Sequence, residues 1–238
     1  MSEVQKERLC AKPRLLDLFC CEGGAAKGYS DAGFEVVGVD IEPRKNYPFE
    51  FIQADALEVL KDGRFVLEFD AIHASPPCQA YSDSTLRHRN LGKEYADLLG
   101  PTRDALEAVH AGCGVPWVIE NVPGAPMRAD YVLCGSQFGL MLIRHRWFEV
   151  SWGPLPTLEL HQPCTHDRRA VTITGNGTPS YTRASREKRG IAKNVGLAEK
   201  REIMEMPWAS VYGVSQAIPP AYTRFIGEKM LAAMELVA

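Results

Sequence analysis

At 238 residues, 45% of them hydrophobic and 24% charged, the chain has enough material for one filled core, or for a core domain with a small appendage. Twenty-seven basic side chains against 30 acidic ones leave a net charge of −3, which excludes bulk attraction to a polyanion or an anionic membrane and leaves any nucleic-acid binding to local basic clusters. Seven cysteines, two of them adjacent at Cys20 and Cys21, lack the even spacing of a disulfide scaffold, and no apolar run approaches the ~18 residues of a membrane span.

Together with the charged start MSEVQKERLC, these features predict a soluble, cytoplasmic, monomeric protein with no membrane partner. In chain order, short β-type runs are expected near 14–19, 34–39, 51–52, 69–73, 117–120, 131–134 and 147–150. Helical segments fall between them, notably at 26–31, 57–61 and 102–111. That alternation predicts an α/β fold, a doubly wound, mostly parallel sheet covered by helices on both faces. After Val150 the texture changes to prolines, glycines and threonines, so 1–150 reads as a catalytic domain, 151–211 as a small second unit and 212–238 as a segment returning to the first. The window 183–201 is the most basic in the chain, and from Pro219 the apolar spacing of Phe225, Ile226, Met230, Leu231 and Met234 predicts a final helix.

The first strand runs into DLFCCEGGAAKG, where Gly23 and Gly24 turn the chain and let a helix N-terminus approach a ligand. The second strand ends in Asp40, roughly 20 residues on, where nucleotide-binding α/β folds carry a carboxylate for ribose hydroxyls. A third strand ends in Asp55. The fourth delivers SPPCQAYS, whose two prolines stiffen the backbone before Cys78 and present a thiol at the carboxyl edge of the sheet. Taken alone, Cys78 reads more readily as a small buried hydrophobe than as a nucleophile. The fifth strand ends in IENVPG, which brings Glu120 and Asn121 to the same edge, and Arg144-His145-Arg146 follows.

As a set, in this order, these motifs resemble the cytosine C5 DNA methyltransferases, in particular a compact orphan or phage-type member. The resemblance implies S-adenosylmethionine as donor, held by Asp17, Phe19, Cys20, Cys21, Gly23 and Gly24 of the first loop. It adds Asp40 and Ile41 for the ribose, Asp55 and Ala56 for the adenine, and Pro77, Gln216 and Ala217 to complete the pocket. It implies that Cys78 adds to C6 of a flipped cytosine in double-stranded DNA, with Glu120 at N3, Arg146 at O2 and Arg144 in support. Gln79, Ser82 and Asn121 would meet the substrate, and the segment 82–99, with Arg87, His88, Arg89 and Lys93, looks like the loop that closes over the base.

Three positions depart from the family pattern: Cys21 stands where a glycine is usual, Leu142 where glutamine is, and Gln216 where asparagine is. The recognition unit is short, and Arg168, Arg169, Arg186, Lys188 and Arg189 are its candidate nucleic-acid contacts. His161, Cys164 and His166 are close in sequence but lack the fourth ligand of a closed zinc site, so no metal is expected. The rival readings are RNA cytosine methylation by the same chemistry and a non-catalytic regulator that binds cofactor and nucleic acid. No motif bears on whether a restriction endonuclease accompanies the protein.

Overall fold

The structure, a computed structural model, describes residues 12–153, 164–165, 170–173 and 195–237. All seven predicted strands form: β1 (Arg14–Leu18), β2 (Glu35–Asp40), β3 (Glu50–Gln53), β4 (Ala71–Ala74), β5 (Trp117–Asn121), β6 (Tyr131–Leu133) and β7 (Arg146–Val150). They make one sheet in the order β3-β2-β1-β4-β5-β7-β6. Strands β1 to β5 pair in parallel, whereas β7 inserts antiparallel between β5 and β6. Only a single 3-10 turn, Gly135–Phe138, lies between β6 and β7, and an antiparallel return needs no crossover helix.

The helices are α1 (Gly24–Ala32), α2 (Ala56–Lys61), α3 (Gly63–Val66), α4 (Leu86–Asn90), α5 (Leu99–Cys113), α6 (Leu197–Ile203), α7 (Val211–Gln216) and α8 (Pro220–Val237). Helix α5 starts a turn earlier than its apolar spacing predicts, because Pro101 is accommodated in the first turn, where its missing N–H costs nothing. Side chains alternate across the sheet. On one face Leu15, Val36, Ala71, Val118 and Phe148 pack with Tyr29 of α1 and Tyr222, Ile226 and Met230 of α8. On the other, Leu16, Leu18, Val37, Ile72 and Ile119 pack with Leu60 of α2 and Leu99 and Leu106 of α5. Each such side chain contributes about 2 kcal/mol of hydrophobic stabilisation.

Helix α8 is the predicted closing segment, and it seats directly on α1. A side chain at Gly28 would strike Pro220 O and Thr223 Oγ1, and the Thr223 hydroxyl donates to Ala25 O over 2.9 Å. A third apolar cluster joins Leu142 to Val171, Ile173, Met204, Met206 and Val214. Backbone bonds from Ile143 N to Val171 O (2.8 Å) and from Val171 N to Met141 O (2.9 Å) attach this strip beside the approach to β7. No helix among the described residues is long and apolar enough to cross a membrane.

Candidate active site

Chain order reverses between β1 and β4, and the crevice beyond the carboxyl ends of those two strands is where open α/β sheets bind ligands. A cleft of about 190 Å³ lies there. Its donor side is built from the loop after β1 and the end of β2. Gly23 takes φ 81° and starts α1, a conformation open to glycine at little cost, and its neighbour Gly24 lines the cleft. Phe19 and Cys21, both left-handed without being glycine (φ 59° and 47°), also line it, and the departure from the family pattern at Cys21 is therefore a strained one.

Asp40, at the end of β2, organises this loop. Its Oδ2 accepts the Cys21 N–H (3.0 Å), while Oδ1 accepts the Glu42 N–H (3.0 Å) and the Arg44 guanidinium (2.9 Å). A carboxylate offers about four acceptor positions, so one on Oδ2 remains for a ligand hydroxyl. Asp17 lies deeper. It is fully buried, its Oδ2 is reached by the Tyr47 hydroxyl at 3.5 Å, and its Oδ1 has no hydrogen-bond partner among the described residues. Burial above all pushes its pKa up to about 8. Cys20, Ile41, Gln216 and Ala217 complete this side with Tyr212, which the sequence reading did not single out.

The opposite side gathers Pro77, Cys78 and Gln79 after β4, Glu120 at the end of β5 and Arg146 at the start of β7. Arg146 Nε lies 2.8 Å from Glu120 Oε1, in an orientation that leaves that oxygen without a hydrogen bond among the described residues. Burial raises the Glu120 pKa, against the pull of Arg146 and Arg144. The Cys78 thiol is also raised, first by burial and then by Glu120, while Arg146 and Arg144 lower it. Beneath the cleft His73 bridges the Tyr29 hydroxyl (2.9 Å) and Ser75 Oγ (2.7 Å), and burial pushes its pKa down to about 3.

Several expected site residues stand elsewhere. Asp55 does not line the cleft; its carboxylate caps α2, accepting from Leu57 N (2.8 Å) and Glu58 N (3.2 Å), and Ala56 is buried under that turn. Asn121 is buried and meets protein rather than the cleft: Nδ2 donates to Pro76 O (3.0 Å) and Oδ1 accepts from Val122 N (2.9 Å), which braces the loop carrying Cys78. Arg144 is likewise inside, its guanidinium donating to Ile173 O and to Ser215 O (2.5 and 2.9 Å). Ser82 caps the following 3-10 turn through Ser84 N. Arg89 folds back on the carbonyls of Ala80, Tyr81 and Ser82, so it stiffens the segment after Cys78.

From the basic window, Arg201 turns inward to Ala209 O (2.6 Å). Arg168, Arg169, Arg186, Lys188 and Arg189 lie outside the described residues, as do His161 and His166. A residue that sequence reading missed is Glu22, in the middle of the first loop. Its carboxylate accepts from Ser210 N and Ser210 Oγ (both 2.6 Å), and its carbonyl accepts from Trp208 Nε1 (2.7 Å). The segment leading into α7 is thereby stitched to the donor loop.

The sequence matches no protein-family model and no curated protein. The fold, by contrast, recurs among methyltransferases. A DNMT2 variant from Spodoptera frugiperda aligns over 94% of this chain and 100% of its own, with 12% identity and a TM-score of 0.58. The S. pombe Dnmt2 methyltransferase aligns over 95% of this chain and 99% of its own, with 12% identity and a TM-score of 0.57. A DNA modification methyltransferase encoded within an E. coli prophage shares 21% identity over 71% of this chain, which spans 56% of that protein's length, with a TM-score of 0.43. The two Dnmt2 likenesses show that the chain has a Rossmann-like α/β fold.

Proposed function

We propose that this protein is a DNA cytosine C5 methyltransferase that uses S-adenosylmethionine. The observation that carries the reading is the meeting, in one switch-point cleft, of a thiol, a buried carboxyl and a guanidinium opposite a loop suited to a cationic nucleoside ligand. The donor fits the residues present: the buried Asp17, with Oδ1 lacking a hydrogen-bond partner among the described residues, would face a positive centre on giving up its proton, and the remaining acceptor of Asp40 suits a ribose hydroxyl. Phe19, Ile41 and Tyr212 provide apolar surface for a purine. When bound there, S-adenosylmethionine supplies an electrophilic methyl group.

Carbons 5 and 6 of cytosine are out of reach inside a stacked duplex, so the base must swing out into the cleft. Glu120, whose pKa burial raises, can give a proton to N3 of the ring. Before that proton moves, neutral Glu120 does not oppose ionisation of Cys78, whose proton passes to solvent, and Arg146 and Arg144 favour the thiolate. The sulfur lone pair then forms a bond to C6, the C5–C6 π electrons move to make C5 nucleophilic, and Arg146 faces the exocyclic oxygen. After methylation, loss of the C5 proton to water returns its electron pair to the ring as the bond from Cys78 to C6 breaks, and N3 returns its proton to the Glu120 carboxylate.

The test is a trapping experiment with S-adenosylmethionine and random duplex DNA containing 5-fluorocytosine, where the C5 fluorine cannot depart as a proton does. A denaturing gel should show a covalent protein–DNA band that needs the donor and is absent in Cys78→Ala. A band formed only with 5-fluorocytosine RNA would move the substrate to RNA. No band with either nucleic acid, in protein that binds the donor, would remove the catalytic reading.

A further inference from the structure

The geometry points to a zinc site outside the catalytic cleft, to which Cys134, His145 and Cys164 supply three ligands. One donor atom from each of the three lies within 4.8 Å of the others, and His145 Nε2 is 3.3 Å from Cys164 Sγ. Tetrahedral zinc with bonds of about 2.3 Å to sulfur and about 2.0 Å to imidazole nitrogen holds its ligand atoms roughly 3.5–3.8 Å apart. The three donors therefore need a shift of only about 1 Å to share an ion. Two thiols and an imidazole are the donor set that zinc prefers among the common divalent ions.

Each donor comes from a different part of the chain. Cys134 follows β6 and is fully buried, and its sulfur accepts the backbone N–H of Gln137, which orients it. His145 sits between Arg144 and Arg146 in the run entering β7. Cys164 belongs to the second unit, ahead of the strip 170–173 that pairs beside Met141 and Ile143. None of the three lines the cleft. An ion here would rivet β6, the approach to Arg146 and the second unit together, through thiolates and a neutral imidazole. The sequence alone grouped Cys164 with His161 and His166 and lacked a closed ligand set; Cys134 and His145 supply donors that only folding brings to Cys164.

The test begins with elemental analysis of the full-length protein purified under reducing conditions and dialysed against zinc. About one zinc per chain is expected. Cys164→Ser and His145→Ala should each lower that content at least about tenfold, whereas Cys113→Ser, which changes an exposed thiol outside the group, should leave it intact. Cobalt loaded into the unmodified protein should give sulfur-to-cobalt charge-transfer absorption and intense tetrahedral bands, a readout that needs no variant to fold. Folded protein that takes up no zinc, zinc retained in full by Cys164→Ser, weak octahedral cobalt bands, or a Cys134–Cys164 disulfide in the metal-free protein would each overturn the assignment.

Discussion

The two sides of the cleft are held in place by different means. On the donor side the ties are mostly short-range, with Asp40 gathering Cys21, Glu42 and Arg44 from its own strand end and the neighbouring loop. On the thiol side the main braces span long stretches of chain: Asn121 braces Pro76, and Arg144 reaches Ile173 and Ser215. The Tyr222 hydroxyl then holds Arg144 O over 2.6 Å. The Asp40 ties of the first side lie within two adjacent βα units, though the C-terminal segment closes over it, whereas the braces of the second need the finished sheet and its closing helix. Damage on the thiol side should therefore leave donor binding intact, while the donor side should reveal itself through charge and backbone strain.

The largest effect is expected at Asn121. Replacing it by alanine leaves the Pro76 carbonyl and the Val122 N–H without their buried partner, at about 2–3 kcal/mol of stability. The Cys78 loop loses its brace, so covalent trapping should slow at least about tenfold while donor affinity, read by calorimetry, stays within about twofold. Donor affinity falling in step with trapping would erase the distinction between the two sides.

Next comes Asp17. Between its ordinary pKa of 3.8 and the native value of about 8 the folded protein keeps a proton that the unfolded chain has released. Stability must then fall as pH rises through that window and level off above it. Asp17→Asn carries no such proton, so its urea midpoint, compared with that of the unmodified protein at pH 5 and pH 8, should gain relative ground at the higher pH. Parallel pH curves would show that the carboxyl is not held in a desolvated site.

The smallest effect is at Cys21. Glycine there would relieve a left-handed residue, offset in part by the greater freedom of the unfolded chain, for a net gain of up to about 1 kcal/mol. The backbone N–H that Asp40 accepts is unchanged by the substitution. A lower urea midpoint in Cys21→Gly would mean that the Cys21 side chain contributes packing worth more than the strain.

Much of the fold was readable in advance, because strand periodicity and the turns between strands are local properties. The misplacement of Asp55 was avoidable: Asp55 followed by Glu58 is the spacing of a helix N-cap, and the carboxylate is used that way. Glu22 carried no such signal. A glutamate in a glycine-rich loop looks solvent-facing until Ser210 and Trp208 close over it from the far end of the chain. Asn121 was legible as a residue of the cleft edge, but the direction of its amide, into Pro76, depends on how β4 and β5 pair.

The order of residue types along the chain already specified seven strands, their helices and the strand ends at which Asp40, Cys78 and Glu120 emerge, since each depends on neighbours within a few positions. Folding alone decided that β7 turns back antiparallel to set Arg146 against Glu120. It also decided that Asn121 and Arg144 point inward as braces, and that Cys134, His145 and Cys164 meet. Those relations join separate segments of the chain, and the packing of the finished sheet, not local spacing, sets the distances between them.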